Sequence, residues 1–426
     1  MEIALWMAVA FGFYMAWSIG ANDAANAMGT SVGSKAVTFK EAVVIAAVFE
    51  FLGALLAGGG VADTMRKGIV DPMIFQDPAF FPAGNGHEYF VWGMMAALIS
   101  AALWIHIAAF LGWPVSTTHS IVGAIAGFGV VSVGVENVEW FKLGTIALSW
   151  VTSPIIGGIM AYFVFTIIRK FILDAEDPNR GIRLWAPALS SPAFTTLFLI
   201  LFFKGLKGRH ADLLALGFDD TMMFIASVVL GILASVVLGF FLRKITIAPD
   251  ATSEVRHAVV ERVFRYLQVI TACFVAFAHG SNDVANSIGP LAAIVTTIEN
   301  SKIATASVIP MWVLVLGAVG IVIGLATYGY RVIETIGTKI TEITPTRGFA
   351  AEFGAAATIL IGSKLGIPLS TTHTVVGAVI GVGFARGMNA LNLRIIVDIL
   401  KSWIYTIPFT AVLTVILYSL FTAIFI

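Results

Sequence analysis

The chain has 426 residues, of which 58% are hydrophobic and 12% charged; 25 Lys and Arg balance 25 Asp and Glu, for a formal net charge of +0. A mean hydropathy of +0.94 excludes an ordinary soluble domain and, with apolar runs long enough to cross a bilayer, specifies an all-α polytopic membrane protein. Neutrality excludes the basic surface that a nucleic-acid partner needs. A single cysteine, Cys273, excludes an intrachain disulfide and a cysteine-based metal site.

In chain order the apolar stretches fall at about 2–20, 41–58, 90–111, 116–133, 144–168, 193–206, 220–242, 264–279, 284–298, 306–328, 348–366, 370–385 and 396–426. The first has no basic leader before it and reads as a retained helix rather than a cleaved signal. Arg169, Lys170, Arg180 and Arg183 mark one loop as cytoplasmic, and Arg243, Lys244, Arg256, Arg262 and Arg265 mark another. The two stretches between these loops must leave and return, although the first is short and ends in Lys204, Lys207 and Arg209. The loop at about 59–89 sets Arg66 and Lys67 against Asp63, Asp71, Asp77 and Glu88, which places it outside. Its counterpart in the second half holds Arg331, Lys339 and Arg347, which places it inside. Matching loops on opposite faces imply two repeats of inverted topology, 1–170 and 262–426, joined by a two-helix insertion at 171–261 with cytoplasmic flanks. Both termini then lie outside.

The halves also share motifs. Gly-Ala-Asn-Asp-Ala-Ala-Asn-Ala-Met-Gly at Gly20–Gly29 returns as Gly-Ser-Asn-Asp-Val-Ala-Asn-Ser-Ile-Gly at Gly280–Gly289, and Gly-Trp-Pro-Val-Ser-Thr-Thr-His at Gly112–His119 returns as Gly-Ile-Pro-Leu-Ser-Thr-Thr-His at Gly366–His373. Each puts carboxylate, amide or hydroxyl groups inside apolar sequence, where polar groups are costly without a task. Short stretches beside them are expected to be helices broken at membrane depth. Ser116, Thr117 and Thr118, like Ser370, Thr371 and Thr372, follow a proline and precede a Gly-rich helix, so they read as helix starts with hydroxyl caps. Free N–H groups and the positive dipole end make such a start an anion site; simple capping is the plainer alternative.

Asn22, Asp23 and Asn26, and Asn282, Asp283 and Asn286, are spaced three and four apart and share one helix face. Their oxygens suit alkali cations, here assigned as Na+ on Asn22, Asp23, Asn282 and Asp283, while Asn26 and Asn286 join the hydroxyl runs around the anion. Glu50 and Glu352 are lone carboxylates in apolar runs; each could bind a cation, carry a proton, or pair with a nearby base. His119 and His373 are expected to give hydrogen-bonding support rather than direct ligation.

These motifs resemble the signatures of the PiT-type inorganic phosphate transporters, cation-coupled symporters of orthophosphate. Both Asn-Asp motifs, both Pro-(Val/Leu)-Ser-Thr-Thr-His runs and their order carry the resemblance over essentially the whole chain. It implies an inverted-repeat helical fold of about twelve spans, a phosphate site at the repeat interface, important acids at Glu50 and Glu352, and symport with Na+ or H+. It also implies a compact, prokaryotic-type member in a cell membrane, with a homo-oligomer open and no resident cofactor beyond co-transported Na+. The expected function is Na+-coupled phosphate symport. H+-coupled symport and sulfate permeation remain alternatives. An intramembrane enzyme is disfavoured, since no nucleophile elbow or His-Glu-x-x-His spacing is present. An ion channel is the third class, separable by whether Asp23→Asn abolishes cation-dependent uptake.

Overall fold

The computed structural model describes residues 2–57, 69–200, 202, 219–248, 250–303 and 309–426. The expected basic groups at Arg66, Lys67, Lys204, Lys207 and Arg209 lie outside these residues. Twelve long helical runs account for the described chain: α1 Glu2–Gly33, α2 Phe39–Ala57, α3 Gly86–Leu111, α4 Thr117–Val133, α5 Trp140–Leu173, α6 Pro178–Ile200, α7 Asp220–Leu242, α8 Ser253–Asn300, α9 Met311–Tyr328, α10 Pro345–Lys364, α11 Thr371–Arg386 and α12 Leu393–Phe425. No β-strand occurs among the described residues. The surface is apolar where the interior is not: Phe141 is 88% and Ile404 71% exposed, whereas Asp23 and Asp283 are buried. That inversion of the soluble pattern belongs to a protein solvated by lipid.

Contacts between helices come in matched pairs. α1 packs on α3 and α9, as α8 packs on α10 and α2; α12 lies on α4 and α3, as α5 lies on α11 and α10. The fifth helix of each half thus embraces the other half. α6 and α7 pack chiefly on each other.

The breaks have local causes. α3 ends in left-handed Gly112 (φ 70°) and α10 is followed by left-handed Gly366 (φ 69°). Pro114 and Pro368 follow, lacking an N–H and disfavouring helix before them. Helix resumes when the Ser116 hydroxyl accepts from His119 N at 3.2 Å and the Ser370 hydroxyl from His373 N at 3.1 Å, so both expected caps are present.

The Asn-Asp motifs differ from expectation. α1 is not broken there: it passes through a single π-helical turn at Gly20–Ala24 and continues to Gly33. α8 is interrupted by one turn residue, Val284, between Asp283 and Ala285. A π-turn bulges the backbone toward a site without leaving many amides bare, whereas proline forces true unwinding at 112–116 and 366–370. Both motif glycines are there for close approach. A Cβ at Gly20 would meet the Ile321 carbonyl of α9 at 1.9 Å, and one at Gly280 the Glu50 carbonyl of α2 at 2.1 Å.

Candidate functional site

The starts of α4 and α11 meet at the centre of the molecule, and the Asn-Asp motifs knit them together across the halves. Asp23 accepts at Oδ2 from Thr117 N (3.3 Å) and the Thr117 hydroxyl, and at Oδ1 from the Thr372 hydroxyl of the other half. Asn26 Nδ2 donates to Thr372 Oγ1 at 2.9 Å and to Asp23 Oδ1 at 3.2 Å. In the second copy Asn286 Nδ2 donates to Thr117 and Thr118 Oγ1 at 3.1 and 3.2 Å and to Asp283 Oδ1 at 3.1 Å. Thr118 Oγ1 lies 3.3 Å from Asp283 Oδ1. Each Asn-Asp motif therefore grips the hydroxyl run of the opposite half, with Asp23 also holding its own.

The expected shared face is present. Asn22, however, uses its side chain differently from a cation ligand: Nδ2 donates to Trp113 O at 2.9 Å and Oδ1 accepts from Val115 N at 3.2 Å. It tethers the unwound stretch. Asn282 Nδ2 similarly donates to Leu369 O at 2.8 Å, but its Oδ1 has no hydrogen-bond partner.

Other buried oxygens are also unpartnered: Asn26 Oδ1, Asn286 Oδ1, Asp283 Oδ2 and Thr371 Oγ1. Leaving such atoms bare costs about 1–3 kcal/mol each. One oxygen each of Asp23 and Asp283 and one ring nitrogen of His279 lie within 4.8 Å of one another, a group able to hold a metal ion. Hard oxygens dominate the set, which fits an alkali cation better than a soft transition metal.

His279 is the functional residue that the sequence reading missed. Its Nε2 is 3.5 Å from Asp283 Oδ2 and its Nδ1 3.2 Å from Glu50 Oε1, so Glu50 takes the nearby-base reading. Among the described residues no Lys or Arg forms an ion pair with Asp23, Asp283, Glu50 or Glu352. Glu352 lies apart from the hydroxyl runs and is fully engaged. It accepts from Thr30 (2.9 Å), Ser31 (2.5 Å), Gln268 (2.8 Å) and Thr271 (2.6 Å), which come from α1 and α8. For the histidines after the hydroxyl runs the expectation is half corrected. His373 Nδ1 is 3.0 Å from Trp150 O, but neither ring nitrogen of His119 is hydrogen-bonded, because its ring is sandwiched against Trp150 and His373.

A polytopic helical bundle holding paired helix starts and buried carboxylates at its centre has the build of a membrane transporter. The chain belongs to the phosphate transporter family, whose profile matches residues 19–414. It is 46% identical over 423 residues to a protein of Pyrococcus abyssi named "Putative phosphate permease", covering 99% of this chain and 98% of that one. It is 44% identical to "Inorganic phosphate transporter 2-1, chloroplastic" of Arabidopsis thaliana, covering 97% of this chain and 71% of the relative. A solved structure titled "The sodium-dependent phosphate transporter" superposes with a TM-score of 0.86 at 37% identity, covering 99% of this chain and all of that one. The family and these relatives are permeases and transporters, not enzymes.

Proposed function

We propose that this protein is a secondary symporter that carries inorganic phosphate across a cell membrane together with Na+, through two inverted repeats (1–170 and 262–426) flanking the insertion at 171–261, with both termini outside. The observation that carries the reading is the central cluster, where two helix N-termini, two carboxylates and several bare amide oxygens share one buried volume. The N-termini of α4 and α11 each present about half a positive charge to an anion. Ser116, Thr117, Thr118, Ser370, Thr371 and Thr372 surround that place, with the amides of Asn26 and Asn286 donating beside them.

Coupling follows from shared donors. The Thr117 and Thr372 hydroxyls donate to Asp23. A phosphate oxygen entering between the helix starts competes for those hydroxyls, and the carboxylate it deprives then needs another positive partner. Na+ on Asp23 and Asp283, with oxygens from Asn282 and neighbouring amides, supplies it. Each ion thus raises the other's affinity, as linkage requires. Asn22 drops out of the cation set because both ends of its amide hold backbone. The matched helix contacts of the two halves support alternating access by exchange of their conformations.

The second reading is H+ coupling, favoured by His279 standing between Glu50 and Asp283. Labelled phosphate uptake into proteoliposomes, with Na+ and pH gradients imposed separately, decides between them. Uptake driven by the pH gradient alone overturns the Na+ assignment. Stronger competition by sulfate than by unlabelled phosphate overturns the substrate.

A further inference from the structure

A third repeated motif lies outside the site: Ser149-Trp150 on α5 and Ser402-Trp403 on α12, each followed by a helix-interior proline, Pro154 and Pro408. Their indoles end a buried column of four rings. Trp150 stacks on His119 (centroids 3.7 Å), His119 meets His373 edge-on (4.3 Å), and His373 stacks on Trp403 (3.4 Å). The rings are matched between halves, but their hydrogen bonds are not. Trp403 Nε1 donates to the Pro114 carbonyl at 3.1 Å, fastening the unwound stretch that leads into Ser116. Trp150 Nε1, its counterpart, is buried with no partner.

The same imbalance recurs one turn away, in different atoms. The Thr117 hydroxyl is engaged on Asp23, whereas its counterpart Thr371 Oγ1 is bare. The start of α4 is thus fastened at two points and the start of α11 is loose at the equivalent two. A bare buried indole N–H is costly, and in a twofold-related pair it implies a second arrangement in which it is satisfied.

We infer that Trp403 and Trp150 are a pair of alternating latches: Trp403 on Pro114 holds the first helix start in the state seen here, and Trp150 on Pro368 holds the second in the oppositely facing state. This rests on the inverted-repeat transport reading, in which each state is the other with its halves exchanged. Neither indole touches the ions. They are positioning residues, and they set which side the site faces.

The test is the half-saturation for phosphate measured from each side of uniformly oriented proteoliposomes, in wild type, W403F and W150F. Phe keeps the ring stack and deletes the N–H. Apparent affinity from a side scales with the population facing it, so losing one net hydrogen bond should move the ratio of the two half-saturations by about 5-fold. W403F and W150F should move it in opposite directions, and the double variant should return near wild type. A purely structural role lowers the amount of active protein without moving the ratio in opposite senses. W150F breaks no hydrogen bond in the present structure, so it reports even if W403F folds poorly. Ratios that shift together, or do not shift, overturn the latch while Na+-driven uptake by wild type stands. Absence of uptake in wild type instead sinks the transport reading itself.

Discussion

Asp23 and Asp283 occupy matched positions in the two halves, yet their surroundings divide at one pair of residues. The glycine before each motif presses on a helix of the other half, Gly20 on Ile321 and Gly280 on Glu50. The residue before each glycine is Ile19 in one copy and His279 in the other. The first copy therefore backs its aspartate with an apolar Ile19–Ile321 wall, the second with a buried His279–Glu50 pair. Asp23 is correspondingly satisfied by hydroxyls, whereas Asp283 keeps Oδ2 bare beside His279. Duplication supplied two copies of one scaffold, and a single substituted pair makes them chemically unequal. One carboxylate holds the helix starts together while the other is kept ready for a charge.

The largest test converts the second copy into the first. His279→Ile alone strands Glu50 in the interior, which should destabilise the protein by about 3–5 kcal/mol, the usual cost of breaking a buried pair. Adding Glu50→Ile recreates the apolar wall and should recover most of that loss, since replacing both members of such a pair is commonly neutral. Thermal unfolding of the single and double variants in detergent measures the difference. A double variant less stable than His279→Ile refutes the equivalence of the two walls. Phosphate uptake should stay low in both.

Next come the aspartates themselves. Asp23→Asn removes the carboxylate that Thr117 and Thr372 share, and should lower Na+-driven uptake by about 100-fold as well as stability by roughly 2 kcal/mol, typical for bonds to a charged group. Asp283→Asn should lower uptake comparably but leave the melting temperature nearer wild type, because its Oδ2 carries no hydroxyl donor. Equal melting losses in the two variants would erase the proposed division of labour. A smaller effect, about 1 kcal/mol, is expected for Ser370→Ala, which removes one helix cap.

Which of these features could be read from residues alone follows from their range. Ser116 and Ser370 cap as expected because proline and hydroxyl act on neighbours a few residues away. Asp23 and Asn26 share a face because three residues make one helical turn. The break expected beside Asn22 was misplaced, since a π-turn and a proline break leave similar marks in apolar sequence. His279 escaped notice because a lone histidine gains meaning only from Glu50, brought to it by a separate helix. The usable signal was the mismatch with Ile19, visible once the copies are aligned. Glu352 was picked out as a lone carboxylate, but its four donors come from two other helices, so no spacing rule could supply them.

The smallest expected effect lies at the rim, between α9 and α10, where water competes for the same charges. Glu342 is 73% exposed and pairs with Arg347 at 2.9 Å and Arg386 at 3.2 Å. Arg347, with a lesser contribution from Arg386, holds its carboxyl below the ordinary glutamate range. A lowered folded-state pKa adds stability that is fully present above the unfolded value and lost as pH falls through the folded one. Exposure keeps that contribution under about 1 kcal/mol, and salt screens it further. Glu342→Gln should therefore melt slightly below wild type at pH 7, with the gap closing as pH drops below the ordinary glutamate range and narrowing in high salt. A gap that widens on acidification would mean that Glu342 is held by something other than its arginines. If the gap were as large as that for Asp23→Asn, the contrast between a buried centre that bears the load and a solvated rim that does not would fail.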